Sequence, residues 1–496
     1  MRRLDEQQSV RLQKKEALER KGIDPYPARS ARTHSIESAL SEFEALSQEK
    51  KEVTIAGRVI QIRAHGGSTF LTLSDGDSAF QVYLKKNELG SDLYEQWIHT
   101  IDIGDFFDFS GTMFRTKKGE PTLLATRMVI LSKSLLPIPE QYYGLKDTET
   151  RLRKRYLDLL ANRETRALFE KKSVFWQTIR TFLLERSFLE VETPVLESIP
   201  GGADAKPFTT YYDALDENRY LRISLELPLK RLLVGGFERV FEIGRIFRNE
   251  GISPEHLQDY TQMEFYWAYA DYEDLMVLTK TLYAQIAERL HGTTRVSTHG
   301  KTVDFGSEWQ RYDYFEEFKN RVGLSLESAT PDQLREKVRG SGIDLDRNAG
   351  KGKMIDALYK KFVRPTLVEP GFLLDPPVEV EPLAKRHPTK PDRVQRMQIM
   401  TWGTELGKGF SELNDPVDQR KRFEEQMKLR EAGDDEAQRL DEDFLEALEY
   451  GMPPAAGFGM SERFFAYLMD KPVRETVLFP PLRKESSEEK DHDRIS

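Results

Sequence analysis

Short runs of alternating hydrophobic and polar residues begin after residue 52 and continue to about residue 131. Turn-forming sequences separate them, such as Ser74-Asp75-Gly76-Asp77 and Lys117-Lys118-Gly119-Glu120. Alternation with a period of two is typical of half-buried strands, and five or six short strands close together predict a small barrel. The predicted strands are residues 53–55, 58–62, 69–73, 80–84, 106–109 and 128–131.

A helical period opens the longer C-terminal part of the chain. Phe175, Ile179, Phe182 and Leu183 are spaced as i, i+4, i+7 and i+8, which predicts one apolar face on a helix over residues 166–188. A strand and Pro194 follow directly, so this part mixes helices with strands. We therefore expect an α+β chain. The predicted organisation is a helical extension (1–52), the barrel (53–133), a linker (134–150), an α+β domain (151–484) with a helical insertion at about 325–365, and a charged tail (485–496).

Composition excludes several classes of site. The chain has 496 residues, which is too long for one core, and it has no cysteine, so disulfides, thiolate metal sites and a cysteine nucleophile are excluded. It has 8 histidines without an HExxH-like pair, which argues against a histidine-ligated zinc site. The polar N-terminus lacks a signal-peptide core, and no run of about 18 apolar residues predicts a membrane span. A cytoplasmic protein is expected.

Charge limits how the chain can contact nucleic acid. The formal net charge is −9, so any such contact must use local basic patches. An OB-fold is the commonest small barrel that binds oligonucleotides, and the barrel is its natural candidate here. Residues 1–22 are rich in lysine and arginine, which fits either a solvated surface helix or an arm that touches RNA.

The densest candidate chemistry lies between residues 241 and 272. Arg248 and Glu250 follow a half-buried strand pattern and share one face of it, because strand side chains repeat every two residues. Alone, such a pair is usually a cross-strand charge pair. Here His256 and the run Gln262-Met263-Glu264-Phe265-Tyr266 follow within 25 residues, and this density of charge beside aromatic rings indicates a site.

Three segments in this order resemble the motifs of class II aminoacyl-tRNA synthetases: Phe188 to Leu196 with Pro194, Phe247-Arg248-Asn249-Glu250, and Gly457 to Arg463. Further stretches resemble the lysyl-tRNA synthetase family in particular. They are Pro200 to Phe208, Leu229 to Gly236, Ala432 to Ala437, and Gly409-Phe410-Ser411-Glu412-Leu413-Asn414-Asp415. The resemblance covers about residues 50–484 and implies an antiparallel sheet flanked by helices, a homodimer, ATP and L-lysine as substrates, and tRNA(Lys) as partner.

The implied chemistry fits the residue types. Attack of an ionised carboxylate on the α-phosphorus of ATP needs no general base, only positioning and stabilisation of phosphoryl charge. The resemblance therefore implies Arg248 and Arg463 as catalytic residues. It also implies an ATP site of Arg248, Glu250, His256, Tyr260 and Arg463, and Mg²⁺ ligands Glu405, Glu412 and Gln398.

The family also implies how lysine and tRNA are recognised. A buried ammonium must be paired, and glutamates with a tyrosine supply that pairing. The implied lysine site consists of Gly202, Glu226, Glu264, Tyr266, Lys408, Phe410 and Glu412. In the barrel, Arg63, Phe70 and Gln81 match anticodon-reading positions, since an aromatic ring stacks on a base and an amide contacts its edge. Without the resemblance, Phe70 is equally a barrel-core residue.

The chain departs from the family at four places. Gln398 stands where the family has a second magnesium-binding glutamate, and Lys408 stands where it has asparagine. The third motif is one residue short before Arg463, and Ile62 replaces an arginine next to Arg63. Lys408 either replaces one ion as a point charge or points to solvent. Two other functions remain alternatives, a protein-lysylating relative that lacks the barrel and a non-catalytic regulator that binds lysine or ATP.

Overall fold

The structure is a computed structural model that describes residues 6–138, 147–251, 256–346, 349–434 and 436–483. The tail predicted at 485–496 lies outside these residues, as do residues 139–146 of the predicted linker. Contacts divide the chain into two units, Met1–Arg163 and Glu164–Ser496.

The first unit is built around a closed barrel with strand order β1-β2-β3-β5-β4. Inward-facing residues such as Leu71, Leu73, Val82 and Phe107 are fully buried, as the period-two pattern predicts. Its elements are α1 (Glu6–Arg20), α2 (Ile36–Ser41), α3 (Phe43–Gln48), β1 (Val53–His65), β2 (Ser68–Ser74), β3 (Ala79–Lys85), α4 (Lys86–Leu89), α5 (Ser91–Thr100), β4 (Phe106–Arg115), β5 (Pro121–Ser132), α6 (Thr148–Arg153) and α7 (Arg155–Ala161).

Several predicted strand boundaries in the barrel are wrong: β4 continues to Arg115 beyond the predicted end at 109, and β5 begins at Pro121 and not at 128. Residues 53–55 and 58–62, predicted as two strands, belong to the single strand β1. Gly57 does not interrupt the strand. A Cβ at Gly57 would lie 3.1 Å from the backbone oxygen of Ser74, so this glycine marks a close approach of neighbouring strands. β1 also contains an irregularity in register between Val59 and Gln61.

The basic N-terminal helix packs on its own unit. Arg11 donates from Nη2 to the carbonyl oxygen of Ile103 at 3.0 Å and from Nη1 to that of Leu136 at 3.2 Å. Lys14 pairs with Asp102 at 2.6 Å. Two of the basic side chains that suggested an RNA-touching arm are therefore bonded within the protein.

The second unit contains an eight-stranded sheet of order β14-β15-β16-β17-β18-β11-β10-β6, antiparallel except at its two end pairs. Its elements are α8 (Arg163–Leu184), β6 (Leu189–Glu190), β7 (Leu196–Glu197), β8 (Thr209–Tyr212), β9 (Glu217–Leu221), α9 (Glu226–Val234), β10 (Arg239–Phe247), β11 (Asp259–Ala268), α10 (Tyr272–His291), β12 (Arg295–Thr298), β13 (Lys301–Asp304), β14 (Gln310–Asp313), α11 (Tyr314–Val322), α12 (Pro331–Gly340), α13 (Lys351–Leu358), β15 (Gly371–Leu374), β16 (Arg396–Thr401), β17 (Thr404–Ser411), α14 (Pro416–Glu431), α15 (Glu442–Glu449), β18 (Ala455–Ser461) and α16 (Arg463–Leu468).

One face of the large sheet packs against α8, α10 and α16. The predicted apolar face of α8 is fully buried there, and Phe265 and Phe458 from the sheet join the same cluster. The predicted α+β class is thus confirmed. The segment predicted as a helical insertion contains α12 and α13, followed by a π-helical turn (Tyr359–Val363) and a 3₁₀ turn (Arg364–Thr366). The opposite face of the sheet is left for the site.

Candidate active site

A cavity of about 780 Å³ lies over the face of the sheet that turns away from α8 and α10. Strand alternation selects the residues that line it. On β11, Glu264 and Tyr266 face the cavity while Met263 and Phe265 enter the core. The register of β11, β18, β17 and β16 extends this row across four strands: Glu264 pairs with Gly459, Gly459 with Lys408, and Lys408 with Gln398.

The five residues implied for ATP line this one cavity: Arg248, Glu250, His256, Tyr260 and Arg463. The guanidinium carbon of Arg248 lies 5.7 Å from the centroid of the Tyr260 ring, and its Nε donates to the carbonyl of Ile223 at 3.2 Å. The Tyr260 hydroxyl donates to Gln262 at 3.2 Å. Cations and an aromatic face therefore lie together, as a nucleotide site requires.

The shortened third motif still delivers its arginine to the cavity. β18 ends at Ser461 and α16 begins at Arg463, so the strand turns into the helix within one residue. The intervening Glu462 is buried and pairs with Lys172. The Arg463 backbone nitrogen donates to Ser461 Oγ at 3.3 Å. The missing residue thus shortens the turn without removing Arg463 from the cavity.

Glu264 is held by four donors of the chain. Its Oε1 accepts from Ser224 Oγ at 2.8 Å, from the Leu225 nitrogen at 3.0 Å and from Gln262 Nε2 at 2.6 Å, while Oε2 accepts from the Tyr266 hydroxyl at 2.9 Å. A carboxylate offers about four lone-pair sites, two on each oxygen. Oε2 therefore keeps room for one more donor on the cavity side.

Gly202 lies beside this carboxylate because its backbone permits it. Its φ is +84°, and a Cβ there would lie 2.9 Å from the Cβ atoms of Glu226 and Ser224. Its nitrogen donates to Gln438 at 3.3 Å. This hydrogen bond ties the glycine-rich loop to the segment after α14, so the Gly202 backbone is held at the edge of the cavity.

Glu226 lines the cavity and Glu412 lies behind its lining, next to Gly457, with a buried lysine between the two glutamates. The ammonium of Lys230 lies 2.6 Å from Glu226 Oε1 and forms an ion pair with Glu412 Oε2. Lys230 is 0% exposed. Its ammonium also lies 5.3 Å from the centroid of Phe410, which lines the cavity.

Burial dominates the electrostatics of these three side chains. Burial raises the pKa of Glu226 to about 7, against the opposing effect of Lys230. Burial likewise raises the pKa of Glu412 well above its usual range. Burial by itself lowers the pKa of Lys230, but Glu226 and Glu412 outweigh it and raise that pKa to about 12. Lys230 is therefore charged. It is a single cation between two glutamates, and the pKa values of both glutamates stay above their usual range.

The absence of a side chain at Gly457 leaves room for Glu412 and Tyr266. A Cβ at Gly457 would lie closer than 3.0 Å to both Glu412 Oε1 and the Tyr266 ring. Glu412 Oε1 has no hydrogen-bond partner within the described part of the chain. The second glycine of the motif, Gly459, differs, because its nearest neighbour would be Glu264 Cγ at 3.4 Å.

Gln398 and Glu405 are in contact because the pairing of β16 with β17 contains a bulge. Gln398 Nε2 donates to Glu405 Oε2. The register of β16 against β17 shifts between Ile399 and Met400. Glu405 therefore lies on the same face as Lys408, although residues three positions apart on a regular strand lie on opposite faces. Gln398 Oε1 is buried without a hydrogen-bond partner in the described residues.

The implied metal set is not assembled in one place. Glu412, the third implied ligand, lies with Lys230 and Glu226 instead. Among the described residues, no group of three or more His, Asp or Glu side chains is arranged to hold a metal ion.

Lys408 faces the cavity and has an anionic partner. Its ammonium lies 3.0 Å from Glu381 Oε2, and Arg396 Nη1 lies 3.2 Å from the same oxygen. Although burial opposes it, Lys408 and Arg396 hold the pKa of Glu381 below its usual range. Lys408 and Arg396 therefore share the single carboxylate of Glu381.

The barrel residues implied for tRNA lie together on its outer surface. Phe70 is partly exposed and stacks on Tyr83, with ring centroids 4.5 Å apart. Arg63 is the strand partner of Phe70 and donates to Gln81 Oε1 at 3.0 Å. Phe70 is therefore not a barrel-core residue. Ile62 packs against the barrel core, which leaves Arg63 as the cation of this surface.

Comparison with protein families decides the identity. The family described as tRNA synthetases class II (D, K and N) matches residues 147–483, and the OB-fold nucleic acid binding domain matches residues 53–131. The chain belongs to the class II tRNA synthetases.

Curated relatives cover almost the whole of this synthetase. A protein of Roseiflexus castenholzii named Lysine--tRNA ligase is 45% identical over 484 residues, which is 97% of this chain and 99% of that protein. A Bacillus subtilis protein of the same name is 42% identical over 489 residues, 97% of this chain and 98% of that protein. Within the described residues, no helix of this synthetase is long and apolar enough to cross a membrane.

Sequence reasoning missed three residues of this synthetase. Lys230 lies within Leu229 to Gly236, one of the stretches that resemble the family. Its i, i+4 spacing from Glu226 on a helix is the signal that could have found it. Tyr83 carries a weaker signal, since it alternates outward on β3. Glu381 has none, because 27 residues separate it from Lys408 and only the folded sheet brings them together.

Proposed function

We propose that this synthetase activates L-lysine with ATP to form lysyl-adenylate and then transfers the lysyl group to tRNA. The observation that carries the proposal is the group of three buried carboxylates, Glu226, Glu264 and Glu412, at one end of the site. Glu226 and Glu264 line the same cavity as Arg248 and Arg463, and Glu412 lies behind Gly457 of its lining. The relatives named Lysine--tRNA ligase support the same substrate.

Charge counting favours a substrate with two ammonium groups. With all groups ionised, three glutamates and Lys230 give this end of the cavity a net charge of −2. Lysine brings an α-ammonium and a side-chain ammonium, which together balance that charge. Its carboxylate then points toward Arg248. A substrate with a neutral side chain leaves one buried carboxylate uncompensated, which costs several kcal/mol.

The residues then have a simple division of work. A carboxylate oxygen of lysine attacks the α-phosphorus of ATP, the bond to the bridging oxygen breaks, and pyrophosphate leaves. Arg248 and Arg463 neutralise phosphoryl oxygens, while Glu264 Oε2 and the Gly202 backbone orient the α-ammonium. In the second step the tRNA terminal hydroxyl attacks the carbonyl carbon and AMP leaves.

Formation of lysyl-tRNA tests the full proposal. Purified synthetase with ATP, labelled lysine and tRNA carrying the lysine anticodon should give lysyl-tRNA, and the same tRNA with an exchanged anticodon should give much less. Transfer of lysine to protein in place of tRNA would favour the protein-lysylating alternative. The anticodon-type barrel at residues 53–131 speaks against that alternative.

Magnesium belongs to this proposal. Glu405 and the unpartnered carbonyl oxygen of Gln398 fit a hard cation, which prefers oxygen ligands. The ion would supply neutralisation of the ATP phosphates. We infer that these two residues hold it together with ATP, and that Glu412 belongs to the lysine site.

Magnesium dependence should show a coupling between positions 398 and 408, which are strand partners. Lys408→Asn is expected to impair lysine-dependent exchange, because it leaves Glu381 facing the cavity with only Arg396. Adding Gln398→Glu should restore exchange at high magnesium. A magnesium titration of both variants checks this, with Lys280→Asn at an exposed ion pair as control. Independent effects of the two substitutions would leave Lys408 without a role in the metal region.

Lysine binding should strengthen with rising pH. Because burial raises the pKa of Glu226 to about 7, the free protein holds a proton there at low pH that the lysine ammonium must displace. The KM for lysine should fall roughly tenfold from pH 6 to pH 8, while the KM for ATP should change little. Of the facing groups, Lys230 and Tyr266 keep their protons in this range, and burial raises the pKa of Glu412 in the same direction as that of Glu226. A lysine KM that is flat over this range contradicts the assignment of Glu226.

Phe70→Ala should separate tRNA charging from activation. Loss of base stacking should cost about 1–3 kcal/mol in charging while leaving lysine-dependent pyrophosphate exchange nearly intact. Phe80→Ala, inside the barrel, is the control and should lower the melting temperature. Equal loss in both assays on Phe70→Ala would show that Phe70 supports the fold alone.

We infer that the synthetase is a homodimer. Between residues 184 and 237, the part of the chain that contains the first motif, eight large hydrophobic side chains are exposed, and exposed apolar side chains that cluster mark interaction sites. They are Leu184, Leu189, Val195, Leu196, Tyr211, Tyr212, Leu215 and Phe237. Burial of these side chains against a second copy is the arrangement that a two-fold interface requires.

A further inference from the structure

The buried carboxylates of the site are accompanied by Lys230, which has no role in the proposed reaction. It projects from α9 one helical turn beyond Glu226, and its ammonium is shared between Glu226 Oε1 at 2.6 Å and Glu412 Oε2. The side chain is fully buried, with Phe410 beside it. A buried charge in a binding site, paired with the two residues assigned to the substrate, calls for a role of its own.

The two carboxylates that Lys230 contacts differ in how they stand to the cavity. Neither oxygen of Glu412 has a hydrogen-bond partner among the described residues; Oε2 forms the ion pair with Lys230, and Oε1 lies next to Gly457, as does the Tyr266 ring. Glu226 lines the cavity itself. Glu226 therefore reaches the cavity directly, and Glu412 Oε1 lies next to a residue that lines it.

Without Lys230 the two carboxylates would face each other with no cation between them. Two buried carboxylates that share a site do not both ionise, because each raises the cost of charging the other. One would keep a proton and turn toward its neighbour. The pair would then offer one negative charge to the cavity in a different geometry.

We propose that Lys230 is a positioning residue that holds the carboxylates of Glu226 and Glu412 in place and favours their charged forms, and thereby makes this end of the cavity select a side chain that carries an ammonium group. The inference rests on the proposed function. Lys230 acts through the two glutamates and does not touch the substrate.

The test is steady-state pyrophosphate exchange on Lys230→Met, which keeps an unbranched side chain and removes the charge. The KM for lysine should rise at least about tenfold, because the buried glutamates lose their common partner, while the KM for ATP should stay within about twofold. Lys230→Arg, which retains the charge, should recover part of the loss. Arg231→Met, at the next position of α9, breaks a partly exposed ion pair with Asp441 and should leave both constants near those of wild type.

A second readout separates positioning from mere structural support. In Lys230→Met the rise of lysine affinity with pH should move to higher pH, because Glu226 and Glu412 then hold their proton more tightly; Glu264, Tyr266 and Glu381 are the other charged or titratable groups that act on them. A lysine KM and pH profile like those of wild type would overturn the proposal, as would equal increases in the KM for lysine and ATP. If Lys230→Met does not fold, Lys230→Met with Glu412→Gln removes both charges, and its lysine KM should be raised; a wild-type lysine KM there also overturns the proposal. Absence of lysine-dependent exchange in the wild type would instead refute the proposed function.

Discussion

Replacement of Glu412 by glutamine is expected to reduce lysine-dependent pyrophosphate exchange by roughly 30-fold to several thousand-fold. Removal of one partner from a desolvated charge pair costs about 2–5 kcal/mol, and each 1.4 kcal/mol corresponds to about a factor of ten in rate. Glu412 is 1% exposed, so no solvent screening softens the loss. Lys230 would then pair with Glu226 alone, and the substrate ammonium would face the neutral amide of the introduced glutamine in place of a carboxylate.

The measurement is exchange at varied lysine and at varied ATP. The loss should appear with lysine, whereas the KM for ATP should change little, because Arg248 and its neighbours are untouched. Glu442→Gln removes an exposed carboxylate that pairs with Arg420 and serves as the control. Exchange by Glu412→Gln within about threefold of wild type would show that Glu412 is not part of the lysine site.

Gly457→Ala is expected to have an effect of similar size by a different cause. The added methyl group would lie closer than 3.0 Å to both Glu412 Oε1 and the Tyr266 ring, so one of them must move. Overpacking of this kind costs about 1–3 kcal/mol in stability, and a displacement of about 1 Å in a site costs about 100-fold in rate. Lysine-dependent exchange should fall by about that factor while the protein remains folded.

Gly459→Ala is the matched comparison for this variant. It lies two residues further along the same strand and the same face, but its methyl group would meet Glu264 Cγ at an ordinary 3.4 Å. Its KM for lysine should therefore rise far less than that of Gly457→Ala. Equal effects of the two substitutions, or exchange by Gly457→Ala within about threefold of wild type, would mean that the methyl group does not disturb the lysine site.

Local patterns predicted the residues of the site better than the elements that carry them. Period-two alternation predicted Arg248 and Glu250 on one face of a strand, but β10 ends at Phe247, and both residues line the cavity from the segment that follows it. The same rule predicted the barrel strands, apart from the end of β4, the start of β5 and the division of β1 at Gly57. In the last case a glycine that permits close strand approach resembles, in sequence, a glycine that ends a strand.

Contacts between distant segments could not be predicted in this way. Glu405 reaches the face of Lys408 only because of the irregularity in β16–β17 pairing, and no residue pattern announces it. The partnership of Lys408 with Glu381 joins β17 to a segment 27 residues away. For this reason the sequence left open whether Lys408 replaces an ion or points to solvent, whereas the fold pairs it with Glu381.

Family resemblance supplied the roles that local patterns leave open, and the structure brings most of the residues concerned into one cavity. The structure pairs Glu412 with Lys230, whereas Glu405 contacts Gln398. Resemblance transfers positions one at a time, and the distribution of charge among them emerges only when the buried neighbours are known.

Pyrophosphate exchange by the wild-type synthetase with each of the twenty amino acids tests the central claim most directly. A cavity end with a net charge of −2 should sustain exchange with lysine and reduce it at least about a hundredfold with amino acids whose side chains are neutral or acidic, because an unpaired buried carboxylate costs several kcal/mol. Exchange that is faster with any other amino acid than with lysine, or that is absent with all twenty, would contradict the account.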